Sequence, residues 1–308
     1  MTAEAEHPPI AIVGAGLIGT AWAALFAHHG FPVRLWDPQA AAMDRAAAAL
    51  PRLSAQLSAI AAGQGGPQDV VHCATLAEAV AGAALIQESA PEDVPLKHAL
   101  LAEIEATMAP EAIIASSTSA LTWSDLGPGL AEPARLITAH PFNPPHLVPL
   151  VELYGTDPVR MDRAEAIYRM VGRVPVRLRK DATGHIANRL ASALWREAVY
   201  MVQEGIADVE AIDTALANGP GLRWSVLGAH MAYHLGGGPQ GMAGYLDHLG
   251  PSQERRWASL GTPALTPEVR AALIDGVARE AGGRSIAELE QDRDAALIAL
   301  LRARKADG

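Results

Sequence analysis

The chain has 308 residues, of which half are hydrophobic and 19% are charged. This composition predicts a well-packed globular protein rather than a disordered one, and the length is sufficient for two domains. The formal net charge of -10, without a cluster of basic residues, argues against nucleic acids and anionic membranes as partners.

No segment is predicted to enter a membrane or to direct secretion. Residues 1–9 are polar and contain prolines, without a hydrophobic signal segment. No apolar stretch approaches the roughly 20 residues that are needed to span a bilayer. The single cysteine, Cys73, excludes an intrachain disulfide and fits a reducing compartment, so the predicted location is the cytoplasm.

Strands and helices alternate through the first part of the chain. Strands are predicted at 10–13, 33–36, 70–73, 83–86, 112–115, 135–139, 148–153 and 174–178. Helices are predicted at 17–29 and 39–62, a turn at Gly63–Pro67, and further helices between the later strands. This alternation predicts an α/β fold with a mostly parallel sheet and helices on both of its faces.

After Lys180 the pattern changes to helix alone. Helices are predicted at 184–204, 208–218 and 266–304, and no strand is predicted there. The chain is therefore expected to divide into a sheet domain of residues 1–182 and an all-helical domain of residues 183–308.

A Gly-x-Gly-x-x-Gly loop, formed by Gly14, Gly16 and Gly19, joins the first predicted strand to the first predicted helix. The first glycine permits a tight turn, the second lets the backbone approach a pyrophosphate, and the third lets the helix pack closely on the strand. The amides of Leu17 and Ile18, where that helix begins, are expected to face the phosphates. A strand, this loop and a helix together indicate a Rossmann-type dinucleotide site.

Asp37 ends the second predicted strand, about 20 residues after the glycine loop. A carboxylate at that position accepts hydrogen bonds from the ribose hydroxyl groups of adenosine and repels a 2′-phosphate. The cofactor is therefore predicted to be NAD rather than NADP.

His140 and Glu152 are predicted to form a catalytic pair. His140 ends an apolar strand on the side of the sheet where ligands bind, and Glu152 lies in the next strand. An alcohol oxidation needs a base near the hydroxyl group, and an imidazole that a carboxylate orients meets that need. A packed core histidine beside a surface glutamate is the alternative that the residues alone leave open.

Other polar residues allow two interpretations each. The hydroxyl groups of Ser116–Ser119 could hold a substrate oxygen or the nicotinamide, or they could cap a helix before Leu121. Glu92 and Lys97 could belong to the cofactor site, or they could be an acid near a helix start and a solvated lysine. No serine nucleophile is predicted, because no Gly-x-Ser-x-Gly elbow occurs. No metal site is predicted either: the chain has no Cys-x-x-Cys pair.

These motifs resemble the 3-hydroxyacyl-CoA dehydrogenase superfamily over nearly the whole chain. The resemblance rests on the glycine loop, Ser116-Ser-Thr-Ser119, His140-Pro-Phe-Asn-Pro144, Val151-Glu-Leu153 and Gly184-His-Ile-Ala-Asn188-Arg189. Within the superfamily the chain is most similar to the carnitine 3-dehydrogenase branch, with L-gulonate 3-dehydrogenase (lambda-crystallin) next. That finer similarity rests on Ile86-Gln-Glu-Ser-Ala-Pro-Glu92, Gly221-Leu-Arg-Trp-Ser225 and Arg284-Ser-Ile-Ala-Glu-Leu-Glu290.

The resemblance implies four catalytic residues. His140 matches the catalytic histidine and Glu152 matches its carboxylate partner. Ser119 matches a serine between the substrate oxygen and the nicotinamide, and Asn188 matches an asparagine near the reacting oxygen, on the helix that joins the domains. The implied reaction is NAD-dependent oxidation of a 3-hydroxyl group.

The resemblance also implies cofactor contacts and an assembly. Asn143 matches an asparagine that contacts the cofactor, while Glu92 and Lys97 match residues on the nicotinamide ribose side. The helical domain in this family forms the dimer, so a homodimer through the C-terminal domain is expected.

The expected substrate is a small L-3-hydroxy acid or a carnitine-like compound. Residues 38–96 contain no lysine and only two arginines, so a CoA 3′-phosphate has no obvious partners there. Arg223 could hold a substrate carboxylate through two hydrogen bonds, and Trp224 could contact a trimethylammonium group. A surface arginine and aromatic core packing are the alternatives. Two other functions stay open: an L-3-hydroxyacyl-CoA dehydrogenase, and a non-catalytic NAD-binding protein of the crystallin kind.

Overall fold

A computed structural model describes residues 7–60 and 69–306 of the chain, so the turn predicted at Gly63–Pro67 lies outside the described residues. The described residues form two compact units. One unit holds those up to Arg189 together with those from Gln291 onward, and the other is Leu190–Glu290. The domain boundary at 182/183 stays a prediction.

Eight strands form a single sheet in the first unit. The order in the sheet is β3-β2-β1-β4-β5-β6-β7-β8, and all neighbours pair in parallel except β6 and β7. Chain order reverses between the first and fourth strands, and ligands bind at the carboxyl ends of the strands beside such a reversal. In chain order the strands are β1 (Ile10–Val13), β2 (Val33–Trp36), β3 (Val70–His72), β4 (Leu85–Glu88), β5 (Ile113–Ser116), β6 (Leu136–Pro141), β7 (Leu150–Gly155) and β8 (Val174–Arg177).

Helices cover both faces of this sheet, as the alternating pattern predicts. Side chains alternate between the faces of a strand, so Ile10 and Ile12 enter one apolar core with Trp22, while Ala11 and Val13 enter the other. The helices of this part of the chain are α1 (Leu17–His28), α2 (Ala40–Ile60), α3 (Leu76–Val80), α4 (Val94–Thr107), α5 (Trp123–Leu126) and α6 (Pro158–Met170).

The described residues after Lys180 contain helices and no strand, which confirms the predicted change of pattern. Among residues 7–60 and 69–306, no helix has the length and apolar character that a membrane crossing needs. The remaining helices are α7 (Ala187–Gln203), α8 (Val209–Asn218), α9 (Pro220–Trp224), α10 (Ala229–Gly236), α11 (Gly241–Ser259), α12 (Pro267–Ala281) and α13 (Ile286–Ala306).

Several element boundaries differ from the predictions, and three of the differences have a clear local reason. The helix predicted at 184–204 begins at Ala187, because Gly184 and His185 have left-handed backbones with φ of 74° and 51°. The helix predicted at 266–304 is two helices, separated by the left-handed pair Gly282 and Gly283. The strand predicted at 83–86 runs from Leu85 to Glu88, because its polar last residues find buried partners.

Candidate active site

The antiparallel pairing of β6 with β7 places His140 directly opposite Glu152. Side chains of residues that face each other in such a pair lie on the same side of the sheet. Nδ1 of His140 lies 2.9 Å from Oε2 of Glu152, and the two residues are 4% and 1% exposed. The two side chains therefore meet, and the alternative of a surface glutamate is wrong. Their catalytic roles stay a prediction.

The second oxygen of Glu152 is held by backbone. Oε1 accepts hydrogen bonds from the amides of Ile186 at 2.7 Å and Ala187 at 3.0 Å, where α7 begins. The left-handed Gly184 and His185 turn the chain so that both amides point at the carboxylate. Burial tends to raise the pKa of Glu152, but the hydrogen bonds from His140 and from these amides outweigh it and bring the pKa below its usual range. Glu152 is therefore a fixed anion.

This anion decides which nitrogen of His140 carries the proton. An ionised carboxylate only accepts hydrogen bonds, so Nδ1 of His140 is the donor and the lone pair of a neutral ring stays on Nε2. Nδ2 of Asn188 lies 3.4 Å from Nε2. Both side chains line a cleft of about 420 Å³, together with Ser119 and Asn143. An imidazole nitrogen able to take a proton and an amide able to donate a hydrogen bond thus face the same space.

Glu92 holds the hydroxyl-bearing loop that follows β5. Its Oε1 accepts hydrogen bonds from the Ser119 amide at 2.5 Å and the Ser119 hydroxyl at 3.1 Å, and Thr118 Oγ1 donates to Oε2 at 2.9 Å. Burial tends to raise the pKa of Glu92, but the amide of Ser119, the charge of Lys97 and the Thr118 hydroxyl lower it overall. Ser119 does not cap a helix, because the N-cap of α5 is Thr122.

Lys97 is buried at 1% exposure, so the interpretation as a solvated lysine is wrong. Its Nζ donates to Glu88 Oε1 at 2.7 Å and to the Ala90 carbonyl at 3.0 Å, and it lies 3.8 Å from Glu92. Glu88, which is fully buried, also accepts hydrogen bonds from the Ser116 hydroxyl at 2.5 Å and the Ala90 amide at 2.6 Å.

Glu88 is not among the site residues that the sequence predicts. The signal available was an acid that ends a buried strand, at the sheet edge where ligands bind.

The glycine loop and Asp37 line a second cleft, of about 520 Å³. Asp37 Oδ2 accepts a hydrogen bond from the Ala15 amide at 2.8 Å, which ties the loop to the end of β2. A Cβ built on Gly16 meets no atom within 4 Å, so that backbone is open to a ligand, whereas one on Gly19 would collide with the Gly14 carbonyl oxygen. Close backbone approach at one glycine and close packing at another suit the pyrophosphate of a dinucleotide.

The two clefts share Ser89, Ala90 and Glu92 among their lining residues. Ile18 lines the cleft that holds His140, and Leu17, at 64% exposure, begins α1 beside the loop. A dinucleotide with its adenosine near Asp37 would therefore extend towards His140. NAD fits the residues present.

The substrate contacts expected of Arg223 and Trp224, and the expected absence of a metal site, stay predictions. Arg223 and Trp224 lie in α9 and are exposed. His230 and His234 form a His-x-x-x-His pair one turn apart in α10. Within the described ranges, no group of three metal-ligating side chains occurs.

Known proteins match the chain over most of its length. It is 43% identical to an L-carnitine dehydrogenase of Streptomyces griseus over 298 residues, which cover 96% of this chain and 89% of that protein. It is 42% identical to an L-carnitine dehydrogenase of Pseudomonas putida, with coverage of 97% and 95%. The solved structure of 5-formyl-3-hydroxy-2-methylpyridine 4-carboxylic acid 5-dehydrogenase, an NAD-dependent dismutase, superposes with a TM-score of 0.78 at 28% identity, covering 96% and 98% of the two chains.

Fold and site together define an NAD-dependent oxidoreductase that acts on a CH–OH group. The NAD-binding domain of 3-hydroxyacyl-CoA dehydrogenase matches residues 9–182, and the C-terminal domain of the same enzymes matches residues 184–265. The chain belongs to the 3-hydroxyacyl-CoA dehydrogenase family, which confirms the resemblance drawn from the motifs.

Proposed function

We propose that this enzyme oxidises the 3-hydroxyl group of L-carnitine, or of a closely similar small 3-hydroxy acid, with NAD as the hydride acceptor. The observation that carries the proposal is the pair of His140 and Glu152, with Nε2 of His140 open to the cleft. Relatives that are 43% and 42% identical over nearly the whole chain are L-carnitine dehydrogenases, which supports this substrate.

The roles of the side chains follow from their hydrogen bonds. Nε2 of His140 takes the proton of the substrate hydroxyl group, and the fixed anion of Glu152 stabilises the imidazolium that results. Asn188 Nδ2, 3.4 Å from that nitrogen, donates to the substrate oxygen. When bound, NAD would supply the hydride acceptor for the carbon that carries this oxygen.

The loop around Ser119 supports the cofactor side of the cleft. The Ser119 hydroxyl donates to Glu92, so its lone pairs are free to accept a hydrogen bond from a bound donor group. Lys97 and Asn143 line the same space. We infer that these residues hold the nicotinamide half, while Gly14, Gly16 and Asp37, which line the second cleft, hold the adenosine half.

An absorbance assay for NADH or NADPH formation tests the substrate. The panel contains L-carnitine, D-carnitine, L-gulonate, L-3-hydroxybutyrate and L-3-hydroxybutyryl-CoA, each with NAD and with NADP. We expect the highest kcat/KM with L-carnitine and NAD. Strong preference for the CoA thioester would replace the free-acid proposal with that of a 3-hydroxyacyl-CoA dehydrogenase. No turnover of any compound, with NADH binding intact, would favour the non-catalytic alternative.

We also propose a cytoplasmic homodimer that forms through the second unit. Large apolar side chains are exposed along that unit, among them Trp195 at 56%, Val226 at 70%, Trp257 at 61% and Ile274 at 66%. Surfaces of this kind mark protein interfaces. Light scattering is expected to give about twice the chain mass of 32.2 kDa. A monomer at all concentrations tested would contradict the dimer, and cell fractionation tests the location.

A further inference from the structure

His185 lies face to face with His140. The centroids of the two imidazole rings are 4.6 Å apart and the ring planes differ by 11°. His185 is 2% exposed, and neither ring nitrogen has a hydrogen-bond partner among the residues that the structure describes. A buried polar ring without such partners is costly, so a compensating role is expected.

The backbone of His185 is also unusual. Its φ is 51°, and no other described residue except glycine has a positive φ. The same turn aims the amides of Ile186 and Ala187 at Glu152. One strained residue therefore acts on both members of the catalytic pair: its backbone helps to place the carboxylate, and its ring covers the imidazole.

The stacked geometry excludes proton transfer between the two histidines. The lone pairs and N–H bonds of an imidazole lie in the plane of its ring, so nearly parallel stacked rings cannot form a hydrogen bond with each other. His185 is thus neither a second base nor a relay for His140.

The charge of His185 matters because His140 gains a proton during the reaction. Four titratable side chains act on His185: His140 opposes its protonation, while Glu152, Asp181 and Glu92 favour it. Burial and then the neighbouring His140 dominate, and they bring the pKa of His185 below its usual value. A neutral ring can stack on an imidazolium, whereas two stacked imidazolium rings would repel each other.

We propose that His185 is a positioning residue, a neutral aromatic plate that fixes the ring plane of His140 and keeps Nε2 aimed at the cleft. This rests on the proposed role of His140 as the base. The plate acts through its ring face and not through its nitrogens. The hydrogen bond to Glu152 holds one edge of the His140 ring, and the stacked His185 ring covers its face.

Three variants separate the contributions of the ring, the ring nitrogens and the backbone of His185. His185→Phe keeps a flat ring without ionisable nitrogens. His185→Ala removes the ring and keeps the strained backbone, and His185→Gly removes both. We expect kcat to fall by roughly 10- to 100-fold in the Ala and Gly variants, because small misplacements of a catalytic group have effects of this size. The Phe variant is expected to restore most of that loss with the acid limb of its pH–rate profile unchanged.

Titration of NADH fluorescence provides the control, and we expect the same Kd in all three variants. Equal damage in the Phe and Ala variants would overturn the proposal and assign the effect to the nitrogens. A wild-type kcat in the Gly variant alone would assign the effect to backbone strain. Full activity in all three variants would show that His185 has no role.

A measurement without substrate separates failure of this proposal from failure of the proposed function. Nitrogen NMR relaxation of histidine side chains reports how far the His140 ring moves, with His140→Gln used to assign its signals. Glu152 fixes the tautomer in every variant, so we expect the same tautomer throughout, with a rigid His140 ring in the wild type and the Phe variant and a mobile one in the Ala variant. Equal ring mobility in all three would overturn the positioning role, even where the substrate assays find no turnover.

Discussion

At the scale of single residues, the site is organised by carboxylates that are held in place by N–H and O–H donors. Glu152 receives three such bonds, from His140, Ile186 and Ala187. Glu92 receives its own set from Ser119, Ala120 and Thr118. Each anion therefore has one orientation, and each fixes a group that is proposed to touch the reactants.

Glu152→Gln tests this orientation. A glutamine has one acceptor oxygen and one NH₂ group, so it cannot accept from His140 on one side and from two amides on the other. With the oxygen towards the amides, the NH₂ group faces Nδ1 of His140 and favours the tautomer that cannot act as a base. We expect kcat to fall roughly 10²- to 10⁴-fold, the usual contribution of acid–base catalysis.

NADH fluorescence gives the control for this variant, and we expect an unchanged Kd. His140→Gln serves as the reference, because it removes the base itself and should abolish turnover while NADH still binds. Wild-type turnover in Glu152→Gln would contradict the assigned role, and loss of NADH binding in either variant would indicate a folding defect instead.

Glu88 and Lys97 form a buried ion pair, and their separate removal tests its contribution. Glu88→Gln leaves the ammonium of Lys97 with the Ala90 carbonyl and a single carboxylate, that of Glu92, 3.8 Å away. Lys97→Met leaves Glu88 as a buried carboxylate. We expect each single variant to lose about 3–5 kcal/mol in free energy of unfolding, because an uncompensated buried charge is left behind.

The double variant Glu88→Gln/Lys97→Met distinguishes stability from function. We expect it to recover much of the stability, since no unpaired charge remains. Because Lys97 lines the cleft, NADH binding should stay weak in the double variant. Urea titrations that show additive losses would contradict the pairing, and wild-type affinity for NADH would exclude Lys97 from the cofactor site.

At the scale of elements, two positions in the loop between β1 and α1 require glycine for different physical reasons. Gly16→Ala adds a methyl group where the structure has open space, so the fold should be unaffected while the approach of a pyrophosphate is blocked. Gly19→Ala adds one that would collide with the Gly14 carbonyl oxygen, so the packing of α1 on the sheet must change.

The two glycine variants are therefore matched controls for each other. We expect Gly16→Ala to keep the wild-type Tm and to bind NADH more weakly. Gly19→Ala should lower both the Tm and the affinity. Unchanged affinity in Gly16→Ala would remove the pyrophosphate from this loop, and an unchanged Tm in Gly19→Ala would show that the helix adjusts freely.

The elements that the sequence predicts well are those with a strong local signal. The run Ile10–Val13 is fully apolar, and the glycine loop that follows has a specific spacing. The meeting of His140 with Glu152 was predictable because adjacent strands with a turn between them pair in one register. The left-handed turn at His185 was not predictable, because the tertiary bonds of Glu152 stabilise a conformation that histidine alone disfavours.

At the scale of the whole molecule, a buried network connects segments that are far apart in the chain. His146 lies between β6 and β7, and its Nε2 is 2.8 Å from Gln56 Oε1 in α2. Gln56 in turn donates to Asp294 in α13 at 2.9 Å, across 238 residues of sequence. Nothing local in the sequence indicates such a contact. The last helix thereby supports the segment that carries His140.

This network makes the fold sensitive to acid within a defined window. Burial lowers the pKa of His146 from 6.5 to about 4, against a smaller opposing effect of Asp294. The unfolded chain therefore takes up this proton before the folded protein does. The contribution of the neutral His146 to the free energy of unfolding is fully present above pH 6.5. It is lost as the pH drops towards 4, by about 3 kcal/mol in total. Glu92 and Glu152, whose pKa values are lowered, lose their contributions only at more acid pH.

His146→Gln tests the origin of this acid sensitivity. The glutamine keeps an N–H donor for Gln56 and cannot be protonated, so the free energy of unfolding should depend less steeply on pH across the window from 6.5 to about 4. Urea titrations at several pH values provide the measurement. His248→Gln, which replaces an exposed histidine of α11, is the control and should leave the slope of the wild type unchanged. A slope that is the same in His146→Gln would assign the acid sensitivity to other groups.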